Sequence, residues 1–398
     1  MNGALRIGRV QIFPLAIPLR FRFEHAAAQR AEADPVVVQL CAQAPHAAAG
    51  YGETLARRYV TGETAATVVE DIRALFVPRL LEFRPQSFAQ AVEFADGLPI
   101  LDGGRLVTAA RCAVELAVLD LAGRVFGRRL SDACGWLGLP GFAAPGCLKS
   151  ARYSGMVVGS DPRRLTRFLR LQRCYGLRDF KIKVAVEGWE RRLELAHRVL
   201  RKALERRQAT LRADANGGWS IARAREAAAV LERFGVSALE QPLAPSEDQR
   251  LGELARATRC ELIADESVLT SEDAQELIAG GAVRVLNIRL AKNGGLLPAL
   301  RIARMALAAG LDVQLGCLVG ETSILSAAGV AFLECCPRVR FVEGAYGRWL
   351  LREDVTARPV RFGLGGRVRQ PGGVGLGVDV VEEALRRLAV DSVRPISL

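Results

Sequence analysis

The sequence predicts an α/β protein, a (β/α)8-type barrel with an N-terminal α+β capping domain that the C-terminal tail completes. Three observations carry this. From about residue 145, eight short apolar β segments alternate with alanine- and arginine-rich amphipathic runs. Strands alternating with helices imply parallel βαβ units, and eight is the count for a closed barrel. No GxGxxG follows the first of these strands, which removes the signature of a doubly wound dinucleotide fold. GVGLG at 373–377 lies in the tail without βαβ context and reads as turn chemistry.

The elements follow in order. RIGRVQIFPLAIPL and PVVVQLCAQ read as strands, followed by a glycine-rich GYGE turn. Residues 64–82 and 87–96 read as helices, and 105–127 as a strongly apolar helix ended by Gly127, where glycine accepts the left-handed cap. The barrel strands are expected at 154–158, 180–184, 209–215, 238–243, 261–267, 283–290, 312–318 and 339–344. Residues 356–398 regain glycine-rich loop and strand character and are expected to return to the first domain. At 398 residues the chain exceeds one typical domain. The expected division is 1–140 capping domain, 141–355 barrel and 356–398 tail.

Composition narrows the function classes. No run of about 18 uninterrupted apolar residues occurs, so no membrane span is expected. The N-terminus alternates apolar and polar residues like strands rather than a signal peptide, which implies a cytoplasmic location. Nine scattered cysteines form no CxxC pair, and only three histidines exist, which argues for reduced thiols and against a thiolate zinc site. A net charge of +12 invites a nucleic-acid reading. The arginines, however, are spread over predicted helices such as 162–173 and 189–207, with no basic tail and no aromatic-basic alternation. They read as a solvated surface, and no nucleic-acid partner is expected.

Of 55 basic residues only five are lysines (Lys149, Lys181, Lys183, Lys202, Lys292). Two of them flank one isoleucine in FKIKV, 180–184, where strand alternation puts Lys181 and Lys183 on one face. Arginine does not release its proton near neutral pH, whereas a partly desolvated lysine does. The bland alternative is a pair of lysines snorkelling at a strand end.

Asp214 in RADANGGW, Glu240 in LEQPL and Asp265 in IADES fall at the ends of consecutive barrel strands, one βα unit apart. Residues at the C-terminal strand ends converge on one mouth. Three carboxylates there repel one another unless a cation lies between them, and all-oxygen ligation suits Mg²⁺, with Mn²⁺ as the alternative ion. FKIKV lies one unit earlier and so shares the mouth. A metal-bound carboxylate with a lysine beside it suits proton transfer at the α-carbon.

The order KxK, DAN, LEQP, ADES, NxRxxKNGG, GCLVGE resembles the muconate-lactonising and mandelate-racemase branch of the enolase superfamily, over nearly the whole chain. HAAAQR (25–30) and GYGETLARRYVTGET (51–64) resemble that family's capping loops, and 111–135 its long helix before the barrel. The resemblance implies Asp214, Glu240 and Asp265 as Mg²⁺ ligands and Lys183 as acid/base, with Lys181 orienting it. Asn216 and Glu266 would support them. His25, Arg30, Tyr59 and Thr61 would close over a small carboxylate substrate, with Arg289, Cys317 and Glu321 lining the opposite wall. Homo-oligomers are implied.

The departures from the family pattern bear on the reaction. Where dipeptide epimerases carry a second lysine, LNIRLAKNGG has Arg289, which is no proton acceptor. QLGCLVGE holds no mandelate-type histidine, and VEGAYG lacks the aspartate pair used for an amino terminus. One lysine base fits cycloisomerisation or syn-elimination. Racemisation or epimerisation of an acid or N-acylamino acid is the alternative. A Schiff-base aldolase on the same barrel and a basic nucleic-acid-binding protein are the remaining rivals.

Overall fold

The computed structural model describes residues 4–25, 28–142, 148–159, 161–391 and 393–398. Eight parallel strands run in chain order: Gly155–Val157, Asp179–Lys183, Thr210–Asp214, Ala238–Glu240, Glu261–Ala264, Val283–Ile288, Asp312–Leu315 and Phe341–Val342. Tyr153 bridges Val342 in parallel, and the Ser154 amide donates to the Val342 carbonyl at 2.8 Å, so first and last strands meet. The sheet closes as the alternation of segments predicts.

Ile7–Pro14, Val36–Ala42 and Ala49–Thr54 form an antiparallel sheet, extended at its outer edge by Ile396–Ser397 from the tail. Packed on it is the helix Thr108–Phe126, buried from Thr108 through Gly123. A helix buried on every face must be enclosed on every side, with its charged groups paired there. This one is covered by the sheet, the barrel and the tail.

GYGE is not a turn, as its glycines suggest, but part of the strand Ala49–Thr54. A Cβ on Gly52 would lie 2.0 Å from the Ala113 carbonyl oxygen, and one on Gly50 2.3 Å from the Leu121 nitrogen. The glycines let strand and helix backbones approach. The predicted helix 64–82 is also modified. It runs as Ala65–Asp71, a wider π turn Ile72–Phe76, and Val77–Leu80 with Pro78 inside.

Two glutamates tie the sheet-and-helix layer to the barrel. Glu53 accepts from the Thr322 amide (2.8 Å), the Thr322 hydroxyl (2.6 Å) and the Leu325 amide (2.9 Å), capping the helix Ser323–Cys335. Glu115 accepts from the Leu297 amide at 3.0 Å, at the start of Leu296–Ala308. Each carboxylate satisfies amides that a helix start leaves without partners.

Candidate active site

Strand alternation sorts the second barrel strand. Phe180 and Ile182 are buried in the hydrophobic core, while Lys181 and Lys183 turn to the barrel mouth. Register then levels the site, with Lys183 beside Asp214 and Asp214 beside Glu240. Asp265, Arg289 and Glu343 each follow the last residue of their strand by one.

Lys181 is enclosed by acids. Its Nζ lies 2.8 Å from both Asp214 Oδ2 and Glu240 Oε1, and 3.0 Å from Glu343. Burial alone would lower its pKa, but the charges of Asp214, Glu240 and Glu343 hold it well above the ordinary value. Lys183 is more open, with a side chain 19% exposed against 3% for Lys181. It donates to Asp214 Oδ2 at 2.7 Å and to Asn216 Oδ1 at 2.6 Å. Both lysines line a cavity of about 70 Å³ at the mouth, with Tyr59, Arg289, Cys317, Glu343 and Tyr346 among its other walls.

The carboxylates differ according to their neighbours. Asp214 is buried, which would raise its pKa, yet Lys181 and Lys183 pull it below the usual range. Glu240 is pushed up to about 8 by burial and by the charge of Asp214. Its oxygens accept from Lys181, from Asn287 Nδ2 (3.0 Å) and from Gln314 Nε2 (3.0 Å). Asp265 is held low against its burial by Arg289 and Lys292. Arg289 ion-pairs with Asp265, and its Nη2 lies 3.8 Å from Glu240. Lys292 Nζ donates to Asp265 Oδ1 (3.0 Å) and the Asn287 carbonyl (2.9 Å). It lies beneath Asp265 and does not line the mouth cavity.

The donor set suits a hard divalent cation, since Asp214, Glu240 and Asp265 are fully buried oxygens on adjacent strand ends. A further oxygen, Glu266 Oε2, is buried without a hydrogen-bond partner. As the side chains stand, no three acids among the described residues converge on one point, because Lys181 and Arg289 lie between them. Asn216, at φ +46°, bridges Lys183 and Glu266, donating to Glu266 Oε1 at 3.1 Å. The donor chemistry of the three acids fits Mg²⁺, while in this arrangement Lys181 and Arg289 occupy the space between them.

The outer contacts are less uniform. Tyr59 and Cys317 line the cavity. Thr61 does not. Two residues on, Glu63 accepts from the Ala109 and Ala110 amides and caps the helix Thr108–Phe126. Glu321 is turned back onto the Leu318 amide at 2.6 Å and lines a smaller neighbouring cavity. The side chains of His25 and Arg30 lie outside the described residues.

Sequence reasoning missed Glu343, Arg212 and Gln241. Arg212 donates to Glu343 Oε1 at 2.6 Å and lies over the Phe341 ring. The signal was an arginine inside the apolar run ATLRADA, two residues before Asp214 on the same face. Gln241, at φ +37°, accepts from the Asp265 amide (2.8 Å) and Ser267 amide (3.2 Å), which fixes the loop carrying Asp265.

Residues 164–384 match the family model described as enolase C-terminal domain-like. A hydrophobic dipeptide epimerase of Enterococcus faecalis is 27% identical over 321 residues, 80% of this chain and 84% of that protein. The muconate lactonizing enzyme structure from Pseudomonas putida superposes with a TM-score of 0.80 at 25% identity, covering 96% of this chain and 99% of that one. A Cytophaga hutchinsonii dipeptide epimerase, solved with Mg and D-Ala-L-Val, shares the fold with a TM-score of 0.80 at 22% identity, covering 99% of each chain.

Proposed function

Because the chain belongs to the enolase C-terminal domain-like family, we propose that it is a Mg²⁺-dependent isomerase that moves a proton at the carbon next to a substrate carboxylate, in the cycloisomerase manner. The observation that carries this is Lys183. It is the more open of the two lysines at the mouth, on the strand next to that of Asp214.

Mg²⁺ bound by these three acids would supply Lewis-acid stabilisation of the enolate oxygens, an effect of several kcal/mol. The chain's own residues do the rest. Lys183 Nζ takes or delivers the α-proton, with Asn216 Oδ1 and Asp214 fixing its direction. Lys181, set between Asp214, Glu240 and Glu343, adds a second positive charge beside Lys183. Arg289, on the facing wall, offers a guanidinium to substrate oxygen but no acceptor for a proton. Chemistry on one face follows.

Racemisation or epimerisation is the second reading, favoured by the likeness to the Enterococcus faecalis epimerase. Turnover of candidate acids in D₂O separates the two. Single-face chemistry predicts deuterium delivered to one face only, and prompt α-deuteration of both enantiomers would transfer the assignment to the racemase class. Glu240→Gln tests the metal. It is expected to abolish Mg²⁺-dependent turnover while the circular dichroism spectrum is kept, and full activity with normal metal binding would overturn the proposal.

A further inference from the structure

The opposite end of the barrel carries a cavity that none of this chemistry uses. It measures about 330 Å³, against about 70 Å³ at the mouth. Arg152 lies just before the first barrel strand, and Arg178 directly before the second. Arg367 comes from the tail, and its backbone bridges that of Arg152. All three line the cavity, together with Tyr175 and the 68%-exposed Leu364. Gly176 and Gly365 form part of its wall, and a Cβ on Gly176 would lie 3.1 Å from Gly365 Cα.

Charge is concentrated here without compensation. Among the described residues, no carboxylate pairs with Arg152, Arg178 or Arg367. The neighbouring helix Pro162–Cys174 has five arginines and no acid, contrary to the expectation of a mixed, solvated surface. Residues 356–378 of the tail also lack acids. Elsewhere the arginines are balanced, as in Arg191–Glu194, Arg223–Glu190 and Arg225–Glu253. Burial, then the like charges of Arg367 and Arg178, pull the Arg152 guanidinium below its ordinary value. Three guanidinia around one hollow repel unless an anion joins them, and their planar forks match phosphate oxygens.

We propose that this cavity binds a small organic phosphate, its phosphate held by Arg152, Arg178 and Arg367 and its apolar or aromatic body against Tyr175 and Leu364. The volume falls near the lower end of the ~300–1,000 Å³ common for small-molecule sites. The shared chemistry is a phosphate monoester, whether free or on a lipid headgroup.

The test uses the full chain in low-salt buffer with AMP as probe and adenosine as the uncharged control. AMP is expected to bind at least tenfold more tightly than adenosine, and to weaken as salt screens the guanidinia. The Arg178→Gln/Arg367→Gln double variant, with both exposed side chains neutralised, should lose at least tenfold in AMP affinity while keeping its melting temperature. Phosphatidylcholine vesicles with and without phosphatidic acid form the second arm. Vesicle binding that the double variant loses, without AMP binding, assigns the phosphate to a lipid. Equal binding of AMP and adenosine, undiminished binding by the double variant, or no binding in either arm would overturn the site.

Discussion

At the scale of single residues, the two lysines of FKIKV divide their work by surroundings. Lys181 touches three acids and is nearly sealed, whereas Lys183 touches one acid and one amide oxygen and meets the cavity. Replacing a general acid/base costs about 10²–10⁴ in rate. Lys183→Met is therefore expected to lower kcat by that range with little change in KM or melting temperature, read by steady-state kinetics and thermal denaturation. A fall confined to KM would demote Lys183 to substrate binding. The strand-end positions of Lys183, Asp214, Glu240 and Asp265 were legible because strand period and unit spacing both show in a sequence. Glu343, Asn287 and Gln314 were not, since single polar residues in apolar strands have no spacing to each other. Their meeting at Lys181 and Glu240 exists only once the sheet has closed.

Single elements show how a motif carries two meanings. GYGETLARRYVTGET resembles a substrate-closing loop, and Tyr59 does reach the cavity. Its glutamates are helix caps, however, and a cap cannot be told from a site acid until its helix is placed. Glu53 gives this a measurable consequence. Burial pushes its pKa up to about 7 from 4.5, against the hydrogen bonds from Thr322 and Leu325. The native state thus holds the proton more tightly than the unfolded chain between these values. The contribution is fully present below pH 4.5 and is lost as pH rises to about 7. Its size is on the order of 3 kcal/mol, since each pKa unit is worth about 1.4 kcal/mol. Glu53→Gln stays neutral and keeps an acceptor, so urea midpoints from pH 4.5 to 7.5 should decline less than those of the wild type. Parallel declines would show that another group sets the slope.

On the scale of the whole molecule, the strand-and-helix layer and the barrel share one continuous core, in which Leu116 and Leu119 belong with Leu297 and Phe332. The periodicity of the sequence divides the chain into units but does not register how they are joined. The joint is the helix Thr108–Phe126, whose acids point outward in several directions. Asp120 accepts from the Tyr51 amide (2.9 Å) of the sheet and the Leu376 amide (2.8 Å) of the tail. Glu115 caps Leu296–Ala308 and is ion-paired with the buried Arg111, which also donates to the Gly294 carbonyl. Gly295, at φ +117°, has room for no side chain, because a Cβ would lie 2.5 Å from Glu115 Oε1. Of the two glycines of KNGG, Gly294 is thus required by its φ of +89° and Gly295 also by a contact between units. Breaking one side of a buried pair costs about 3–5 kcal/mol. Glu115→Ala is expected to lose that much by urea denaturation and to separate the unfolding of the two layers. The wild type should unfold in one transition, coincident by tryptophan fluorescence and far-ultraviolet circular dichroism, because Trp189 and Trp219 report on the barrel, Trp136 on its contact with Phe88 in the helical layer, and helix and sheet signal come from both layers. Two resolved transitions in the wild type would mean that the layers fold independently despite their common core.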